Sequence, residues 1–187
     1  MIELWTDGAC QRNPHGPGGW AVVVVEEGRA VAEHSGHEAK TTNNRMEMTA
    51  ALEALRHLAP GEAATINTDS QLLVNGATQW LTGWKRKGWK KADGQPVLNA
   101  DLWQAIDAEM QQVKTARWNW VRGHAGNRWN ERADQLAVLA AATGKGTSRT
   151  LDGALAAAGG GEPMPVGPPA QPARPPASAA RAAQALL

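Results

Sequence analysis

LWTDGAC at residues 4–10 and TINTDSQL at residues 65–72 decide how this chain folds. Each runs an apolar, β-prone stretch into Thr-Asp and then breaks it, the first with Gly8 and the second with Ser70. Aspartate is a poor strand residue and costs free energy when buried without a partner. Two strands ending on one therefore need a reason. If these strands are neighbours in a sheet, Asp7 and Asp69 stand together at one end of it.

Working outward, residues 2–10, 19–27 and 29–37 read as three strands joined by the turn signals NPHGPGG and EEG. The second carries WAVVVV (20–25), the near-continuous apolar run of a strand covered on both faces. TTNNRMEMTAALEALRHLAPG (41–61) then switches to helical spacing, with Thr or Asn as N-cap and Pro-Gly as stop. ATINTD (64–69) is a fourth strand, followed by a short helix at about 70–76. NADLWQAIDAEMQQV (99–113) is a helix capped by Asn99, with Leu102, Ile106, Met110 and Val113 on one stripe. ARWNWV (116–121) is a fifth strand, RGHAGN (122–127) a glycine-flanked loop, and NERADQLAVLAAAT (130–143) a last helix. Three strands followed by alternating helix and strand imply an α/β fold: a mixed five-stranded sheet with helices on both faces.

Of 187 residues, 1–144 carry this patterning and make one domain. Residues 145–187 are dominated by Ala, Gly and Pro and read as a disordered, partly polyproline tail. Its last stretch, ASAARAAQALL, is a short helix candidate for docking a protein partner. The net charge of +1 averages unlike regions, because Lys85, Arg86, Lys87, Lys90 and Lys91 fall within seven positions. Such a block on a near-neutral domain points to a localised polyanion contact. A single cysteine, Cys10, forms no internal disulfide and suits a reducing, cytoplasmic setting. The first residues read as a strand rather than a signal peptide, and no run approaches a membrane span. Nine Trp accompany no Phe and no Tyr.

Two further acids, of a type that should face solvent, sit instead on apolar, core-facing stripes. Glu47 shares the stripe of Ala51, Ala54, Leu55 and Leu58, and Asp134 that of Ala137, Val138 and Ala141, near the positively polarised end of the last helix. Any one of these acids alone reads equally as a cap or a salt-bridge partner. With Asp7 and Asp69 they make four carboxylates able to converge, and four close carboxylates repel and protonate unless a cation holds them. All-oxygen ligation suits Mg²⁺ or Mn²⁺, with water and phosphate oxygens completing the shell.

TDGAC, NPHGPGGW, TTNNRMEMTAALEAL, NTDSQ, QWLTGWKRKGWKKADGQPVLNADLW and WNWVRGHAGNRWNERADQLA, taken as a set over residues 1–142, resemble bacterial ribonuclease HI. The resemblance implies an RNase H-like fold and a Mg²⁺-dependent endonuclease. Its implied reaction is hydrolysis of the RNA strand of RNA/DNA hybrids, leaving 5′-phosphate and 3′-hydroxyl ends. It implies that Asp7, Glu47, Asp69 and Asp134 bind two Mg²⁺ ions, with a one-ion mechanism as the alternative and Mn²⁺ as a substitute. It gives His124 a part in activating water or freeing product, a role that suits a loop imidazole beside a metal cleft.

The same resemblance puts Asn13, Asn43, Asn44 and Gln71 in the groove that reads the hybrid, where neutral donors and acceptors meet the RNA 2′-hydroxyl. Thr42 falls at the site holding a DNA phosphate. His15 is an extra residue in this loop compared with the family pattern. In the resemblance, residues of about 80–95 are the basic protrusion, with Trp80 and Trp84 lining the DNA channel and Lys85, Arg86, Lys87, Lys90 and Lys91 on phosphates. Three Trp here would otherwise be left exposed, whereas Trp103, Trp118 and Trp120 read as core. A monomer acting on RNA/DNA hybrid is expected. A nuclease of the same fold acting on DNA, a hybrid-binding module without catalysis, and a Cys10 nucleophile are the competing readings.

Overall fold

A computed structural model describes residues 1–151. Strands β1 (Ile2–Cys10), β2 (Gly16–Glu26) and β3 (Arg29–Thr41) form an antiparallel meander. Helix α1 (Asn43–His57) returns the chain so that β4 (Ala63–Thr68) pairs in parallel with β1, Trp5 opposite Asn67. Helix α2 (Gln71–Asn75), a π-helical turn (Gly76–Trp80), α3 (Leu81–Arg86) and α4 (Ala100–Met110) lead to β5 (Thr115–Trp120), parallel to β4. Helix α5 (Arg128–Thr143) and β6 (Thr147–Thr150) follow.

The strand order is β5-β4-β1-β2-β3-β6, so the expected mixed sheet has six strands rather than five. Alternation along β2 explains its apolar run. Val22 and Val24 pack on one face with Leu4, Met48, Leu52, Leu55, Ile66, Leu73, Trp103 and Ile106. Ala21, Val23 and Val25 pack on the other with Trp5, Ala133, Leu136 and Ala137 of α5. Period-two side chains buried on both sides leave no polar face to show.

The sixth strand moves the domain boundary beyond residue 144. Thr147–Thr150 is polar and exposed throughout, so no apolar pattern announces it. It is held by side-chain pairs that follow its register with β3. Arg149 opposes Glu33 and donates to its Oε2 at 2.6 Å, His34 Nδ1 lies 2.8 Å from Ser148 Oγ, and Ser35 Oγ lies 3.0 Å from Thr147 Oγ1. Leu151 then packs on the α5 side of the sheet. The rest of the tail expected at 145–187, from residue 152 on and with its docking segment, lies outside the described residues.

Candidate active site

Asp7 is the seventh residue of the chain and the sixth of β1, buried to 8% exposure. The first turns of α1 cross this strand at Gly8, where a Cβ would overlap the backbone of Met46 and Glu47. Gly8 thus lets Glu47 descend beside Asp7. Asp69 follows the last residue of β4, the strand parallel to β1, which realises the juxtaposition implied by the two Thr-Asp endings. Asp134 projects from α5, which packs over β1 and β2. It lies in the second turn, beyond reach of the helix-terminal charge expected to act on it. Its stripe holds Ala133, Leu136, Ala137 and Ala140, while Val138 is 48% exposed.

The four acids feel one another. Burial, then the neighbouring Asp69, raises the Asp7 carboxyl to about 8; Asp134 and Glu47 add to this, and a 2.7 Å hydrogen bond from Gly8 N–H opposes it. Burial also pushes Glu47 up, with Asp69 adding, although Ser70 Oγ donates to it at 2.5 Å and Asn43 Nδ2 at 2.9 Å. Asn130 Nδ2 lies 3.5 Å from Asp69 Oδ2, and Trp120 Nε1 donates to the Asp69 carbonyl at 3.0 Å. Among the described residues none of the four acids has an ion pair.

Buried, mutually repelling carboxylates with no protein cation fit a divalent metal. Among the described residues no three His, Cys, Asp or Glu side chains are gathered tightly enough to enclose an ion. Mg²⁺ keeps several waters and takes substrate phosphate oxygens, so it does not require an all-protein cage.

Ser70 and Asn130 are site residues absent from the sequence expectations. Ser70 reads as a strand breaker, yet it caps α2, accepting from Leu73 N–H, and anchors Glu47. Asn130, only 2% exposed on the apolar stripe of α5, carries the signal that revealed Glu47: a polar residue where an apolar one belongs.

His124 is exposed on the loop between β5 and α5, with φ at 51°. The loop reaches the acids through Gly123, whose Cβ would press on the Asp69 carboxylate. Asn127 closes it by capping α5. At the other end of the cleft Thr42 caps α1, accepting from Arg45 N–H, and Asn13 Oδ1 accepts from Asn43 N–H at 3.1 Å. The extra residue His15 is accommodated in the left-handed region (φ 76°), its N–H donating to the Thr41 carbonyl. Asn13 therefore still reaches α1. Asn44 and Gln71 are exposed near these groups on α1 and α2.

The protrusion differs most from expectation. Trp84 is 7% exposed and packs between Trp80 and Trp103 in tilted ring contacts, at centroid distances of 5.6 and 5.4 Å. Trp80 and Trp89 are half-buried against the same core, so the three Trp are not left to solvent. Trp80 and Trp84 still line a small cavity with Asn44, Lys91 and Asn99. Lys85 is committed to Asp107 at 2.7 Å. Arg86, Lys87 and Lys90 are exposed and Lys91 half-buried. The part that projects is thus the loop after α3, closed by the Lys90–Pro96 bridge, rather than the whole of 80–95. Trp103 and Trp118 pack in the core as expected, but Trp120 is 45% exposed beside Asp69.

The RNase H family model matches residues 1–142. Ribonuclease H of Bordetella pertussis is 51% identical over 137 residues, covering 73% of this chain and 86% of that protein. Ribonuclease H of Paracoccus denitrificans is 53% identical over 140 residues, covering 73% and 89%. Among solved structures, LC9-RNase H1, described as a type 1 RNase H with the type 2 active-site motif, aligns with a TM-score of 0.67 at 29% identity. That alignment covers 94% of this chain and 97% of the other. A mixed sheet with two acid-ended parallel strands, crossed by an acid-bearing helix on each face, and half-identity to these proteins say the same thing: the chain belongs to the ribonuclease H family.

Proposed function

We propose that this chain cleaves the RNA strand of RNA/DNA hybrids as an endonuclease, using two Mg²⁺ ions held by Asp7, Glu47, Asp69 and Asp134 and leaving 5′-phosphate and 3′-hydroxyl ends. One observation carries this: four carboxylates converge, the most buried of them raised to about 8, with no protein cation among them. When bound, divalent ions supply Lewis acidity toward the scissile phosphate and lower the pKa of water. Mn²⁺ is the natural substitute, having the same preference for oxygen ligands.

The chain's own residues do the rest. Ser70 and Asn43 hold Glu47 in place, and Asn130 holds Asp69. His124, exposed on a loop tied down beside Asp69, accepts or returns a proton at the reacting phosphate. Asn13, Thr42, Asn43, Asn44 and Gln71 contact the hybrid around the start of α1, where side-chain amides read 2′-hydroxyls. The exposed Arg86, Lys87 and Lys90, with Lys91, grip the phosphates of the DNA strand, while Trp80 offers a half-buried face to it.

The protein works as a cytoplasmic monomer, and a protein partner is proposed for the segment after residue 151. No helix among the described residues is long and apolar enough to cross a membrane. Labelled RNA/DNA hybrid, double-stranded RNA and double-stranded DNA, each incubated with and without Mg²⁺, test the reading. Cleavage of the RNA of the hybrid alone, and only with metal, is expected. Metal-independent cleavage, or equal cleavage of duplex DNA, overturns it.

A further inference from the structure

Two histidines meet at the end of α1 remote from Glu47. His34 of β3 and His57, the last residue of α1, lie with ring centroids 5.0 Å apart, lining a pocket with Trp20, Glu53, Thr147 and Ser148. His34 Nδ1 is 2.8 Å from Ser148 Oγ, whereas its Nε2 is buried without a hydrogen-bond partner. With the proton on Nδ1, His34 donates to Ser148 and presents an Nε2 lone pair. Such a partner on the other ring nitrogen is what fixes the tautomer of a metal-bound histidine.

The spacing agrees. A zinc–imidazole bond of about 2.0–2.1 Å, extended roughly 1.2 Å to the ring centre, puts two imidazoles on a tetrahedral ion about 5.2 Å apart, centroid to centroid. We propose that His34 and His57 form a second metal site, for an imidazole-preferring divalent ion such as Zn²⁺, distinct from the carboxylate cleft in place and in chemistry. Glu53 and Arg56 line the same pocket but pair with each other at 2.8 Å, and among the described residues no cluster of three His, Cys, Asp or Glu completes the shell. The two imidazoles are the protein's share, and water fills the remaining positions. Nitrogen donors favour zinc, nickel or copper over magnesium, so the Mg²⁺ that serves the cleft does not compete here.

Through Ser148 the ion ties β6 to α1 and β3. That strand lies beyond the residues 1–142 matched by the family model, so the site would staple this chain's own extension onto the shared fold.

The test is zinc titration by calorimetry into the full chain, with Mg²⁺ in excess to occupy the carboxylates. The parent should take up zinc at one site. His57→Gln, at an exposed position that leaves packing alone, should weaken that uptake about tenfold or more, and Ser148→Ala about tenfold through loss of the supporting hydrogen bond. Asp7→Asn should leave it unchanged. Nuclear magnetic resonance of the imidazoles, read in parallel, should show the His34 and His57 signals shift together. Uptake that survives in both His57→Gln and His34→Gln, or loss of uptake in Asp7→Asn with both imidazoles unmoved, overturns the site. So does the absence of uptake at millimolar zinc.

Discussion

Asp7 and Glu33 are both buried carboxylates on one sheet, 8% and 4% exposed, and they resolve their burial in opposite ways. Burial alone would raise Glu33, but Arg132 and Arg149 outweigh it and hold the carboxyl below its ordinary range. Arg132 grips both oxygens, at 2.7 and 3.0 Å, and Arg149 donates twice to Oε2, at 2.6 and 3.0 Å. Among the described residues Asp7 has no such partner, and it is raised by burial and by three more acids. A structural acid comes with its cations encoded nearby in the fold; Asp7, in the proposed function, leaves that place for an ion from solution.

Breaking the metal side of this contrast should have the largest effect. Asp7→Asn or Asp69→Asn removes a charged ligand while keeping shape. Cleavage of hybrid should fall by at least about 10³-fold with circular dichroism unchanged. Substantial hydrolysis by either purified variant would sink the four-acid assignment.

His124→Ala removes a proton carrier and leaves the carboxylates intact, so kcat should drop about 10²-fold with hybrid still bound. An unchanged kcat across pH would make His124 a bystander.

Replacing Arg86, Lys87, Lys90 and Lys91 with Ala should raise KM far more than it lowers kcat. The slope of log K against log salt should flatten by nearly one unit for each phosphate that is no longer neutralised. Lys85 is set apart because Asp107 already holds it. Parallel salt slopes for variant and parent would rule out phosphate binding by this block.

On the structural side, Glu33→Gln should cost stability and spare catalysis. Arg132 and Arg149 are 34% and 48% exposed and can rehydrate, so the loss should be about 1–2 kcal/mol rather than that of a fully buried pair. A thermal melt reads it, and a matching fall in kcat would tie β6 to the active site.

What was legible follows from where the chain writes its pattern. Alternation and helical spacing show β1 to β5 and the long helices, and the misplaced polar residues Asp7, Glu47, Asp69 and Asp134 stand out against apolar neighbours. Thr147–Thr150 escapes because its stability lies in cross-strand pairs with Glu33, His34 and Ser35, which no local pattern contains. Trp84 misleads for the opposite reason: lysines flanking it suggest an exposed face, but its i−3 neighbour Leu81 and i−4 neighbour Trp80 turn it into the core beside Trp103. Ser70 and Asn130 are ordinary residues until the acids they support are placed.

The most direct test of the contrast is the stability of metal-free and Mg²⁺-loaded protein as a function of pH. A carboxyl raised from 3.8 to about 8 favours the fold fully below the lower value, and that contribution is lost as pH rises through the upper. The metal-free parent should therefore lose up to about 1.4 kcal/mol per pH unit across that window from Asp7. Mg²⁺ should restore the loss above pH 7, in the parent and in Glu33→Gln alike. Metal-free Asp7→Asn should show a flatter profile and little response to Mg²⁺. Equal Mg²⁺ stabilisation of Asp7→Asn and parent, with the same pH slope in both, would contradict the claim that these carboxylates are built to wait for a cation.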